Sequence, residues 1–223
     1  MNIDLNTVRF GTGAHDATAA PTGDRDLCIM EAVAFVAGES WSDAPTCASP
    51  VISAFLRSWQ DALSDDDRDR LLPAAVWVPR LVGSRGDAVT EERRSYLAVD
   101  WLVRVYTPVW LDLTFKLRPH VEELRSLPVV TVDTLAGAIA KLQAARAAAN
   151  DAAGAAARAA ANDAAGDAAW YAARDAAWYA AKDAAWAAAR DALRSTVETL
   201  QQSALDLLDR MLACGEHRRE ETP

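Results

Sequence analysis

Basic residues are scarce in this chain: 23 Lys and Arg stand against 32 Asp and Glu, a formal net charge of −9. A protein that grips nucleic acid by neutralising phosphates needs the opposite balance, so direct nucleic-acid binding is not expected. Cysteine is nearly absent too. Cys28, Cys47 and Cys214 are an odd number without the paired spacing of a secreted disulfide scaffold. No basic stretch followed by an apolar run opens the sequence, so no signal peptide is expected. The most apolar run, 27–37, is interrupted by Glu31 and is far short of the ~20 residues that span a bilayer. The cytoplasm is the expected address, with no membrane partner.

Proline is missing from 133 to 213, and alanine dominates 144–192. Alanine is the best helix former, so this stretch is predicted to be a long helix, or a helical hairpin if it folds back at Gly154 or Gly166. The whole chain reads as all-α: a compact multi-helix domain followed by the long Ala-rich helix or hairpin. The expected divisions are an irregular arm over 1–25, a helical domain over 26–128, the Ala-rich region over 129–214 and a charged disordered tail over 215–223.

Helix signals fill the middle of the chain. Asp26 is a plausible cap for 27–37, with Gly38 closing it. Ser49 and Pro50 give the strongest start, followed by Ile52, Phe55, Leu56, Trp59 and Leu63 on one helical face. Ser64 caps another start with Asp65, Asp66 and Asp67 where the helix dipole favours acids. Pro73 and Pro79 divide the next stretch into short pieces. A longer helix should begin near Thr90, bury Leu97, Trp101, Val105 and Val109, and kink or end at Pro108. Pro119 and Pro128 frame a short helix around Val121, Leu124 and Leu127. Before all of these, Ile3, Leu5, Val8 and Phe10 could form a short strand or an arm packed on the core.

Two repeats run through the Ala-rich region. R-A-A-A-N-D-A-A-G-A-A-A starts at Arg146 and is echoed from Arg158; the octads D-A-A-W-Y-A-A-R, D-A-A-W-Y-A-A-K and D-A-A-W-A-A-A-R start at Asp167, Asp175 and Asp183. Four residues turn a helix by about 400°, so a four-residue pattern spirals instead of holding a stripe. Trp170, Arg174, Trp178, Lys182, Trp186 and Arg190 form that spiral. Each cation has a Trp four residues away, which suits cation–π contact. Three readings remain open: a spacer, a packing surface in which Trp supplies burial, and direct membrane contact. Leu193, Val197, Leu200, Ala204, Leu207 and Met211 alternate spacings of four and three, as a bundle face does. Leu135, Ile139 and Leu142 begin the same pattern at the other end. These faces should be buried on the helical domain, on each other or in an oligomer.

Chemistry-bearing constellations are weak. His15, Cys28, Glu31 and Cys47 contain no close ligand pair of the kind zinc uses. Cys28, on an apolar helix, reads as a buried small hydrophobe. Gly11-Thr12-Gly13 lacks the further glycine and the lysine of a phosphate loop and reads as a turn. Asp100 and Arg104 read as a helical ion pair. His120 and His217 have no nucleophile beside them. Neither catalysis, metal nor cofactor is expected.

The segments D-L-C-I-M-E-A-V-A-F-V-A-G-E and W-S-D-A-P-T-C-A-S-P-V-I-S-A-F-L-R, with N-I-D-L-N-T-V-R-F-G-T-G-A-H, V-P-R-L-V-G and D-W-L-V-R, resemble a group of poorly characterised proteins of actinobacteria and their phages. The resemblance covers about residues 1–110. It implies a bacterial cytoplasmic setting, phage or mobile-element encoded, and brings no catalytic residues. The expectation is therefore a non-enzymatic accessory protein that binds another protein, of directionality-factor, inhibitor or immunity type. The rival is a structural protein that oligomerises through the repeat helix. The residues expected to make contacts are Trp170, Arg174, Trp178, Lys182, Trp186, Arg190, Leu193, Val197, Leu200 and Leu207.

Overall fold

A computed structural model describes residues 3–15, 24–167 and 175–216, and their side chains outside 156–192 and 216. The chain is predominantly helical. The described residues form α1 (Ile29–Ala37), α2 (Pro50–Ala62), α3 (Asp65–Leu71), α4 (Ala74–Leu81), α5 (Ala88–Trp101), α6 (Thr107–Leu111), α7 (Arg118–Ser126), α8 (Leu135–Asp167) and α9 (Asp175–Glu216). No strand appears among them, only an isolated bridge between Arg9 and Asp24. None of these helices is long and apolar enough to cross a membrane. Two compact units result: Met1–Ala98 together with Ala204–Pro223, and Val99–Ser203. The boundary expected near 128 thus falls inside the second unit, and the end of α9 belongs to the first.

The first unit is organised by polar side chains that tie off loose backbone ends. Helix α1 starts after Cys28, two residues beyond the expected cap Asp26. Its first amides are satisfied from elsewhere: Gln60 Oε1 accepts from the Ile29 N–H at 2.7 Å, and Glu31 reaches back to the Cys28 N–H at 2.6 Å. That is a capping box with a thiol in the serine's place. The helix is buried along Ile29–Ala34, packs on α2 and α4, and stops at Gly38, whose φ of 72° lies in the left-handed region. Helix α2 starts as expected, its Ser49 hydroxyl accepting from the Ile52 N–H. Its buried face is Ile52, Ser53, Leu56 and Gln60, whereas Phe55 and Trp59 are half-buried and stacked at 5.7 Å. Pro79 sits inside α4 without ending it.

Two arginines are almost fully buried. Arg68 donates from Nε to Gln60 O, from Nη2 to Leu63 O, and from Nη1 to Phe10 O and the Asp65 carboxylate. It closes the C-terminal end of α2 and fastens the N-terminal arm over it. Arg94 donates from Nε to Met211 O and from Nη1 to Ser84 O and Glu91, and so ties α9 to the loop before α5. Guanidinium groups suit this task because five donors in a fixed fork can satisfy several carbonyls at the negative end of a helix. At Gly215 a Cβ would stand 2.8 Å from Arg94 Nη2, so a larger residue there would push the end of that guanidinium aside. Ala204, Leu207, Leu208, Met211 and Leu212 are all buried here. Each large apolar side chain so buried is worth about 1.5–3 kcal/mol.

The second unit begins inside the α5–α6 rod. Between those helices, Leu102–Tyr106 is a π-helical turn, and the Thr107 N–H reaches Leu102 O. Pro108 has no N–H to give Arg104 and would crowd its carbonyl; the wider turn accommodates this. The inserted turn also rotates the rod. The expected stripe of Leu97, Trp101, Val105 and Val109 is covered in part: Leu97, Trp101 and Val109 are half-buried and Val105 is exposed, whereas Asp100, Val103, Pro108 and Leu111 are buried. After a 3₁₀ turn at Phe115–Leu117, α7 buries Val121 and Leu124. Helix α8 is described over Leu135–Asp167 and runs through Gly154 and Gly166 without a break. Its buried face is Ala138 and Ala145, with Ile139 exposed and Leu135 and Leu142 half-buried. Alanine at those points lets backbones approach, and the larger residues flank the contact.

Candidate functional site

The residues with the most obvious chemistry are occupied with structure. The N-terminal arm brings His15 onto Glu31: the His15 N–H donates to Oε1 at 2.7 Å, and its ring Nδ1 lies 2.9 Å from Oε2. Oε2 also takes the Cys28 N–H, and the Cys28 sulfur accepts from the Glu31 N–H. With the His15 carbonyl accepting from Trp41 Nε1–H, the buried carboxylate is the clamp that fixes the arm to α1. Its oxygens are already engaged and have little left for a substrate or metal. Burial pushes the Cys28 thiol up to about 12, which keeps it neutral and a poor nucleophile or ligand. Burial also raises the Cys47 thiol. Among the described residues no three His, Cys, Asp or Glu side chains form a metal-ligating group. The glycine pair is a tied turn: Gly13, at φ 76°, donates its N–H to Asp61, and a Cβ on Gly11 would run into the Arg25 carbonyl oxygen. Asp100 does pair with Arg104 at 3.0 Å, and it accepts the Val130 N–H as well.

The second unit presents a different surface. Eleven large apolar side chains are exposed among the described residues, and eight of them fall in this unit: Leu102, Val105, Tyr106, Leu113, Phe115, Val129, Val132 and Ile139. The three in the first unit, Val36, Val76 and Val89, are scattered valines. Single exposed apolar residues need no explanation, but eight within one stretch of chain do. The segments carrying them are tied together. Asp100 holds Val130, Arg125 meets Asp112 at 3.3 Å, and Lys141 meets Glu123 at 2.6 Å. Phe115 is 77% exposed, with the Arg118 guanidinium 5.1 Å from its ring centre. Nearby a shallow cleft of about 290 Å³ is lined by Val109, Leu113, Asp112, Arg125 and the α9 hydroxyls Ser195, Thr196 and Thr199. Its lining combines apolar side chains with hydroxyls and one Asp–Arg pair.

No family model, curated protein or solved structure matches this chain. Geometry alone therefore defines the site.

The ten residues expected to make contacts are distributed unevenly. Trp170 and Arg174 lie outside the described residues. Trp178, Lys182, Trp186 and Arg190 lie on α9, their side chains outside the described ones. Leu193 and Val197 are half-buried. Leu200 is buried in the second unit and Leu207 in the first, so both serve this chain's own cores. Periodicity found α9 but missed Leu113, Phe115, Val129 and Val132. Those four belong to no helical period, and that was the available signal: large apolar residues stranded between Thr, Lys, Pro and Asp.

Proposed function

We propose that this protein acts by binding another protein and catalyses nothing itself, and that the apolar surface of the second unit makes the contact. The concentration of exposed apolar side chains there carries the reading. Buried clamps at Glu31, Arg68 and Arg94 support it from the other side, because they account for the polar groups that a catalytic site would otherwise claim. The resemblance of residues 1–110 favours a phage or mobile-element setting in the bacterial cytoplasm, with the protein acting as a directionality factor, inhibitor or immunity-type modulator. A second reading, assembly through the Ala-rich helices, is favoured by their length: 33 residues in α8 and 42 in α9.

A photocrosslinking amino acid at position 115, and separately at Val76 on the first unit, tests the reading in cells. Crosslinks to a protein from position 115 and none from position 76 are expected. No crosslink at 115, or equal crosslinking at both sites, would overturn it.

A further inference from the structure

We propose that the partner of this surface is a second copy of the chain, in a two-fold pair that sets Phe115 of each copy against Val132 of the other. The inference rests on the reading of the second unit as a binding surface and names its occupant. Phe115 and Val132, 77% and 68% exposed, are the two most exposed large apolar side chains described. Each is followed directly by a charge of opposite sign to the other's, Lys116 and Asp133. Both charged residues are exposed, and neither forms an ion pair among the described residues. The 3₁₀ turn carrying Phe115 packs against α8, whose first residue follows Val132 by three positions, so both protrusions lie on segments attached to that one helix.

A two-fold interface is self-complementary: when residue i of one copy meets residue j of the other, j meets i as well. With Phe115 placed on Val132 and the two segments running so that Lys116 faces Asp133, both contacts occur twice, and both apolar side chains leave water twice. The wider charge pattern agrees. Residues 99–142 hold five acids (Asp100, Asp112, Glu122, Glu123 and Asp133) and five bases (Arg104, Lys116, Arg118, Arg125 and Lys141), so the chain's net charge of −9 lies entirely elsewhere. Two copies meeting through any acidic stretch would repel; meeting here they do not.

Charge exchange tests the pairing on the full-length protein, with sedimentation equilibrium reading the dimer dissociation constant and circular dichroism checking the fold. Lys116→Glu and Asp133→Lys should each weaken dimerisation on the order of tenfold or more, since every substitution counts twice. The double variant Lys116→Glu/Asp133→Lys, which restores opposite charges, should return close to wild type. Phe115→Glu should leave a folded monomer. A wild-type chain that stays monomeric at the highest attainable concentration overturns the proposal, and so does a dimer that Phe115→Glu leaves intact or a double variant no tighter than the single ones. Crosslinking at position 115 then separates the two readings. A monomer that still crosslinks to a different protein leaves the binding surface standing and removes only the second copy. A monomer without crosslinks removes both.

Discussion

The two units solve opposite problems. In the first, charged and amide side chains turn inward: Glu31, Gln60, Arg68 and Arg94 are buried, and between them they cap α1, close the end of α2, and hold the N-terminal arm and α9. In the second, one buried acid, Asp100, does comparable work, while apolar side chains face outward. Inward polarity fixes a unique arrangement, since a buried polar network must be satisfied completely or it destabilises. Outward apolarity leaves a surface whose burial is completed by something else. The contrast teaches that a chain can keep the polar contacts that specify its fold in one unit and leave its exposed apolar side chains in another.

The comparison can be broken most severely by ending the chain after Ser203. This removes Ala204, Leu207, Leu208, Met211 and Leu212 from the first unit's core and leaves Arg94 without its α9 carbonyl. Near-UV circular dichroism and thermal melting should show loss of the cooperative transition of that unit. Next in size, Arg68→Met should cost roughly 3–5 kcal/mol by urea unfolding, because it removes a fully buried guanidinium that donates to Leu63 O, Gln60 O, Phe10 O and Asp65, and leaves Arg25 alone to hold Phe10 O and Asp65. Arg118→Met, on the exposed surface of the second unit, should change stability by less than about 0.5 kcal/mol. If the two arginines cost the same, the contrast between the units fails.

Leu124→Ala sharpens the comparison within the second unit. Leu124 is fully buried there, so truncation should cost about 2–5 kcal/mol. Hydrogen exchange should rise across 99–155 while α1 and α2 keep their protection; loss of protection in both would mean the units unfold together. Thiol chemistry gives a pH-dependent test. Folding raises the Cys28 thiol from its ordinary 9.0 to about 12, mainly through burial. The native state therefore resists the thiolate. Its advantage is full below pH 9 and is lost as pH rises toward about 12. Cys28 should be the last thiol to react with an aromatic disulfide at pH 8, and alkaline unfolding should set in between those two values. Rapid modification of Cys28 in the folded protein would contradict the burial. The smallest effect is expected at Gly137, near the start of α8, where a Cβ meets nothing within 4 Å. Gly137→Ala should raise stability by up to about 1 kcal/mol.

Much of the helical plan was legible from local signals. Ser49–Pro50, Ser64 and Gly38 bound helices as their chemistry requires, because a cap acts on the next three or four residues and needs no distant partner. What escaped the sequence depends on distant partners. Arg68 and Arg94 look like ordinary surface charges until the carbonyls of Phe10 and Met211 arrive beside them. Asp26 is a good cap by type, yet Gln60 and Glu31 supply what α1 needs two residues later. The π-turn follows from Pro108, and it breaks the regular period of 3.6 at Val105, which is exposed while Leu97, Trp101 and Val109 of the same expected stripe are half-buried. The candidate surface was the least legible part. Exposure of Phe115 and Val132 is a property of what the rest of the unit leaves uncovered.

The placement of residues 204–212 in the first unit has a consequence for how the molecule is made. A ribosome delivers helices α1 to α4 early, at about 5–20 residues per second, but the core they share with α9 cannot close until Met211 and Leu212 have emerged. The whole of 99–203 is synthesised in between. The second unit, whose contacts lie within its own stretch of chain, can fold during that interval, so the earlier-made unit is the later one to be completed. The residues between the two segments therefore set the delay before the first unit can close.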